Sequence, residues 1–144
     1  MPHVVPSISW PDVVGAVVVA AVFVAIFSFW PEPARQRFNA VFVAGAGSTY
    51  FNGGLGVWDL ALPMLITTFA FFGLRSYRWI GVAWMTHASW DVAHHFWASP
   101  ILAFAPTSSA GCAICDPLLA LWLFLGAPSI YSIVRSGSIP SAPS

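Results

Sequence analysis

Hydrophobic residues fill most of the chain in five long blocks, and the few charged residues stand mainly between these blocks. A helix needs about 20 apolar residues, and at least about 17, to cross the hydrocarbon core of a bilayer. The sequence predicts five transmembrane helices, of which the second is shorter than this length and rich in small residues. Their predicted bounds are about residues 13–30, 38–51, 58–74, 79–97 and 117–134. Residues 1–135 then form one helical domain, and the Ser/Pro-rich residues 136–144 form a solvated tail.

The composition favours an integral membrane protein and argues against several other classes. The 144 residues are 58% hydrophobic and 7% charged, whereas soluble domains carry about 25% charged residues. A formal net charge of zero argues against a nucleic-acid partner, which requires a basic surface. An aromatic content of 16% argues against intrinsic disorder. We therefore expect an all-α, five-span helix bundle in the cell membrane, with membrane lipid as its surroundings.

The five arginines predict the orientation of this bundle. Arg35 and Arg37 separate the first two predicted spans, Arg75 and Arg78 separate the third and fourth, and Arg135 follows the fifth. With five spans, all of them lie on one side, and arginine is enriched on the cytoplasmic side. A preference of cations for helix C-termini does not explain Arg37 and Arg78, because these residues precede helix N-termini. The N-terminus is thus predicted outside and the C-terminus inside the cell.

The acidic residues fall into two groups under this topology. Asp12, Asp59 and Asp116 lie in or just before the first turns of three predicted spans, at the outer surface. A carboxylate there complements the helix dipole and caps free N–H groups, so a structural role is the preferred interpretation for all three. Asp91 lies inside the fourth span, where an ionised group costs about 2.5 to 3.5 kcal/mol unless it is paired. Capping does not explain its position.

The fourth span carries a stripe of ionisable residues. His87, Asp91, His94 and His95 stand at positions i, i+4, i+7 and i+8, so they share one helix face, which should point into the bundle. In one hypothesis, His94 or His95 acts as an acid or base oriented by Asp91, and Asp59 joins them as a further catalytic candidate. In another, the stripe holds a divalent transition metal, zinc or iron. A network of helix-to-helix hydrogen bonds, worth about 0.6 kcal/mol each, is the structural alternative.

A Cys-x-x-Cys segment is predicted in the loop before the fifth span, within residues 107–117. This loop should approach His94 and His95, so Cys112, Cys115 and Asp116 join the candidate metal ligands. The cysteine pair also fits a structural disulfide, which an oxidising outer face favours. The motif resembles that of membrane thiol–quinone oxidoreductases, but these proteins use a second cysteine pair. This chain has two cysteines in all, which disfavours redox chemistry.

Other residues are candidates for holding a ligand or a partner. Trp84 and Trp90 lie beside the polar stripe and could wall a pocket for a cofactor or a hydrophobic small molecule. Asn52 opens a glycine-rich turn before Asp59 and is the third such candidate. Gly45 and Gly47 of the second span are spaced for close helix contact, which would suit a homo-oligomer.

Two motifs and the glycine-rich turn before them resemble a family of small integral membrane proteins of unknown function. The motifs are His87-x-x-Trp90-Asp91-x-x-His94-His95 and Pro106-Thr107-Ser108-Ser109-x-Gly111-Cys112-Ala113-Ile114-Cys115-Asp116-Pro117, and the turn is Asn52-Gly53-Gly54-Leu55-Gly56. The resemblance extends over about residues 38–131 and implies a compact multi-span protein, without an activity. Small membrane sterol isomerases and terpene cyclases are a looser analogy, since they surround an apolar substrate with acids and aromatics. No motif is shared with them.

The leading functional hypothesis is a small membrane enzyme acting on an apolar, lipid-like or isoprenoid substrate. Its His/Asp site would lie in the outer half of the bilayer and work by metal-assisted or acid–base chemistry. A transport or channel subunit is the first alternative, but five short spans enclose little volume, so a pore would need an oligomer. A non-catalytic membrane assembly partner, whose polar stripe docks another helix, is the second.

Overall fold

The computed structural model describes residues 4–50 and 53–136, and these residues form six α-helices without a named strand. The helices are α1 (Trp10–Ser28), α2 (Ala34–Ala46), α3 (Trp58–Gly73), α4 (Tyr77–Trp97), α5 (Ser108–Phe124) and α6 (Ile130–Ser136). The predicted all-α class is therefore confirmed over this part of the chain. Asn52 and the predicted tail from residue 137 onward lie outside the described residues.

The starts and ends of the helices follow local chemistry. Asp12 accepts a hydrogen bond of 2.8 Å from the Ser9 backbone N–H, so the predicted capping role of Asp12 at the start of α1 is confirmed. α2 ends before its predicted limit, because Ser48 and Thr49 donate their hydroxyls to the last carbonyls of the helix. α3 and α4 lie close to their predicted ranges.

The fifth predicted helix differs most from the structure. Residues 108–116 were expected in a loop but form the first half of α5, with Thr107 as the N-cap. Pro117 suggested a helix start, since proline favours the first turn, yet it lies inside α5, where it removes one hydrogen bond. α5 ends at Phe124 because Gly126 and Ala127 adopt left-handed φ angles of 84° and 47°. The capping role predicted for Asp116 is therefore wrong.

Among the described residues, α1 is the one helix that is long and apolar enough to cross a bilayer. The helix has 19 residues, and its most apolar 18-residue window has a mean hydropathy of 2.2 and is 17% buried. α3 and α5 are apolar but shorter, with 16 and 17 residues. The five-span bundle with its orientation remains a prediction.

α4 lies at the centre of the packing. α4 packs on both α3 and α5, while α2 lies against α3 and α4, and α1 against α5. Val43, Ile66, Ile80 and Leu123 are fully buried between these helices. At one end of the bundle, the Ser99 N–H bonds to the Gly53 carbonyl at 2.9 Å and joins the α4–α5 loop to the α2–α3 loop. The arginines at the starts of α2 and α4, and Arg75 just before α4, lie at the opposite end.

Candidate functional site

His87, Asp91 and Asp116 form a buried cluster in the middle of the bundle. His87 and Asp91 are one turn apart on α4, and α5 brings in Asp116. His87 Nδ1 lies 3.0 Å from Asp91 Oδ2 and 2.9 Å from Asp116 Oδ2. The residues are 2%, 0% and 3% exposed, so water does not stabilise their charges. One ligand atom from each residue lies within 4.8 Å of the others, which is a spacing that a metal ion could use.

The hydrogen-bond partners of His87 Nε2 indicate the protonation state of His87 Nδ1. His87 Nε2 lies 3.0 Å from the Ala46 carbonyl oxygen and 3.4 Å from Thr49 Oγ1. A carbonyl only accepts hydrogen bonds, so we assign the hydrogen of the neutral ring to Nε2. The Nδ1 lone pair then faces the carboxylates of Asp91 and Asp116. Three electron-rich atoms converging in a dry interior require a proton or a metal cation between them, and the proton can lie on Nδ1 or on one of the two carboxyl groups.

Tyr50 and Ser109 complete the surroundings of Asp91. The Tyr50 hydroxyl donates to Asp91 Oδ1 at 2.6 Å and lies 2.9 Å from Ser109 Oγ. All three residues are buried. Sequence reasoning missed both hydroxyls, because Tyr50 stood inside a predicted apolar span and Ser109 in a predicted loop. A polar aromatic residue two positions before the glycine-rich turn was the one available signal.

A second buried acid–imidazole pair lies beside this cluster. His94 Nε2 is 2.9 Å from Asp59 Oδ1, and His94 Nδ1 is 3.0 Å from the Ser99 carbonyl oxygen. The Leu55 N–H donates to the other Asp59 oxygen at 2.9 Å. The Tyr50 ring stacks on the His94 ring, with centroids 3.6 Å apart and planes 16° from parallel. Tyr50 therefore contacts both buried groups.

A small cavity reaches the second pair from outside. Its volume is about 270 Å³, and its walls are mostly apolar except for two imidazole side chains. The lining residues are Val4, Pro6, His94, His95, Ala98, Pro100 and Pro106. Trp84 packs near the His87 ring, with 6.0 Å between centroids, and the Trp90 indole N–H lies 3.4 Å from Asp59 Oδ1. Neither tryptophan lines this cavity.

Of the residues predicted to bind a metal, some lie together in the buried cluster and others do not. His87, Asp91 and Asp116 form the one metal-compatible group among residues 4–50 and 53–136. His94, His95, Cys112 and Cys115 lie outside it. The cysteines are free thiols, Cys112 partly exposed and Cys115 buried, so the structure contains no disulfide between them. Asp116 meets His87 rather than His94 or His95, because it lies inside α5 and not in a loop.

The comparisons with known proteins concern the family alone. The model of a family of unknown function, DUF6010, matches residues 11–129, and the chain belongs to this family. The expected membership of a family of unknown function is thereby confirmed, and the match extends further toward the N-terminus than expected, whereas the family does not test the membrane character. No curated protein and no solved structure matches the chain.

Proposed function

We propose that this member of DUF6010 is a multi-span membrane protein with an inward-facing polar centre. Large apolar side chains point away from the bundle; Val18, Val22, Met64 and Phe71 are 50% to 67% exposed. The ionisable residues of α4 are buried instead. Soluble monomers rarely expose contiguous apolar patches above about 600 Å², whereas ionisable residues in membranes face the protein interior. This distribution supports a lipid environment.

We further propose that the buried cluster binds a divalent transition metal, zinc or iron. The convergence of His87 Nδ1 with two carboxylate oxygens is the observation that carries this proposal. His87 Nδ1 lies 2.9 Å from Asp116 Oδ2 and 3.0 Å from Asp91 Oδ2. These distances are slightly shorter than the distance of about 3.3 Å between two ligand atoms in a tetrahedral site with metal–ligand bonds of about 2.0 Å. The contact from His87 Nε2 to the Ala46 carbonyl is the usual support for a metal-bound imidazole.

The proposed activity is that of an enzyme acting on an apolar, lipid-like or isoprenoid substrate. Three protein ligands leave a coordination position open, as in catalytic zinc sites, where the metal polarises water or substrate. The apolar cavity beside His94 and His95 supports an apolar substrate. Asp59 holds His94 in place, and Tyr50 connects that imidazole with Asp91. His94 is our candidate for proton transfer, and Asp59 is its positioning residue.

Metal analysis tests the centre. Protein purified without chelators should contain about one metal ion per chain, measured by plasma mass spectrometry. Asp116→Asn keeps the size of the side chain and removes a ligand charge, so the affinity for Zn²⁺ should fall at least about tenfold. Asp59→Asn is the matched control, since it also alters a buried, histidine-paired carboxylate but lies outside the group. A folded, metal-free wild type, or equal loss in both variants, contradicts the proposal.

The substrate class needs its own measurement. Lipid extracts of membranes containing wild type or Asp91→Asn protein should differ in an apolar species that only the wild type consumes or produces. Chromatography with mass spectrometry detects such a difference. If the wild-type protein binds metal but its lipid extracts equal those of Asp91→Asn, the result argues against an enzyme and favours a structural role for the metal.

A further inference from the structure

A larger cavity lies at the arginine-rich end of the bundle, away from the proposed metal centre. Its volume is about 780 Å³, within the range of about 300 to 1,000 Å³ that is typical of small-molecule sites. The starts of α2 and α4 and the end of α5 form its walls. Its polar lining includes Arg35, Gln36, Arg75 and Arg78. The orientation rule accounts for arginines on this side, but it does not require them to surround a cavity.

The charges of this cavity are not balanced within the described residues. Glu32 is the one carboxylate in the lining, and it already accepts a hydrogen bond of 2.7 Å from Tyr77 and pairs with Arg35 at 3.0 Å. Arg35 also donates to the Ala127 carbonyl at 2.8 Å. The side chains of Arg75 and Arg78 have no hydrogen bond or ion pair in residues 4–50 and 53–136. Three arginines against one glutamate leave an excess of two positive charges.

The start of α4 adds to this positive potential. Ser76 is the N-cap residue, and its side chain makes no capping hydrogen bond. Ser76 also lines the cavity, so the positive end of the helix dipole lies beside Arg75 and Arg78. Backbone N–H groups at a helix start and arginine side chains bind the same ligand chemistry, namely anionic oxygens.

The apolar residues in the wall of the cavity restrict the chemical class of the ligand further. Leu123, Phe124 and Leu125 line the same cavity, and Phe124 and Leu125 are 42% and 63% exposed. A phosphate group fills only a small part of 780 Å³, so the ligand has a further portion that meets these apolar side chains. A phosphate monoester carries a charge of about −1.5 to −2 at neutral pH, which matches the excess of two positive charges. A carboxylate would leave one charge unmatched.

We propose that this cavity binds a phosphate monoester attached to an apolar chain, with Arg75 and Arg78 holding the phosphate oxygens. The apolar chain lies along the end of α5. This site goes beyond the proposed function, because it shares no residue with the metal-compatible cluster. The phosphate could belong to a membrane lipid or to a soluble compound, and the experiment separates these sources.

Binding measurements in detergent test the proposal with three probes. The probes are short-chain phosphatidic acid, the corresponding diacylglycerol without phosphate, and inorganic phosphate. Wild-type protein should bind phosphatidic acid and not diacylglycerol. Displacement by millimolar inorganic phosphate would indicate that the phosphate alone suffices and that a soluble source fits. Absence of displacement would indicate a lipid source.

Variants identify the cavity as the site. The double change Arg75→Gln and Arg78→Gln should lower the affinity for phosphatidic acid about 100-fold, which is about tenfold per arginine. Lysine at both positions keeps the charges that set orientation but loses bidentate contacts, so a smaller loss is expected. Arg37→Gln is the matched control, because Arg37 is exposed at the same end and does not line the cavity. Equal loss in this control, or no phosphate binding by wild type, overturns the proposal.

Discussion

Replacing Tyr50 by phenylalanine tests whether the buried polar network depends on its hydroxyl group. The change removes one oxygen, which lies 2.6 Å from Asp91 Oδ1 and 2.9 Å from Ser109 Oγ. The ring can keep its 3.6 Å stacking on His94. Asp91 and Ser109 are both 0% exposed, so bulk water cannot replace the lost partner without opening the bundle.

The expected loss follows from the charge and burial of Asp91. Hydrogen bonds between helices in membranes contribute about 0.6 kcal/mol on average and about 1.7 at most. Bonds to charged groups contribute about 1.5 to 3 kcal/mol. Since the Tyr50 hydroxyl meets a fully buried carboxylate, we expect a loss of about 1.5 to 3 kcal/mol in the free energy of unfolding. The melting temperature should fall by about 3 to 12 °C, at about 2 to 4 °C per kcal/mol.

Unfolding in mild detergent, followed by the fluorescence of the eight tryptophans, measures this loss. Tyr131→Phe is the matched control, because Tyr131 is 39% exposed and contacts Phe29 through its ring, with centroids 3.9 Å apart. This control should unfold like the wild type. The reasoning is refuted if Tyr50→Phe costs less than the membrane average of about 0.6 kcal/mol, or if both variants lose equal stability.

Two glycine substitutions give further predictions. In Gly53→Ala, the new Cβ would lie 2.5 Å from His94 Cε1, and because Asp59 and Ser99 hold that ring from both sides, stability should fall by about 1 to 3 kcal/mol in the same unfolding assay. In Gly45→Ala, the Cβ meets nothing within 4 Å, so the monomer should gain up to about 1 kcal/mol from helix propensity. If Gly45 instead forms the contact of a homo-oligomer, light scattering should show dissociation of the complex in this variant.

The sequence predicted the polar face of α4 well, because spacing along one helix determines which side chains share a face. His87, Asp91, His94 and His95 are all at most 5% exposed, as the positions i, i+4, i+7 and i+8 required. The bounds of α3 were also close, since Trp58 and Asp59 stand at the boundary between a glycine-rich turn and an apolar run.

The partners of this face could not be predicted, because they depend on the axial position of neighbouring helices. The sequence placed Asp116 beside His94 and His95 by starting the fifth helix at Pro117. α5 starts nine residues earlier, at Ser108, so Asp116 lies in the middle of the bundle and meets His87. Residue spacing within α4 gives no information about this offset. For the same reason, Tyr50 was not predicted beside Asp91.

α4 contributes residues to both the arginine-lined cavity and the buried cluster, and these residues are well separated along the helix axis. Arg78 and His87 are nine residues from each other, which is about 13 Å along the axis. Substitutions more than about 7 to 10 Å apart without shared partners usually act independently, within about 0.5 kcal/mol. Loss of phosphate binding in the arginine variants should therefore leave metal affinity unchanged, and Asp116→Asn should leave phosphate binding unchanged. A single ligand could contact both regions if its apolar chain extended from the end of α5 toward His87. The two sets of substitutions would then share a binding partner and would no longer act independently.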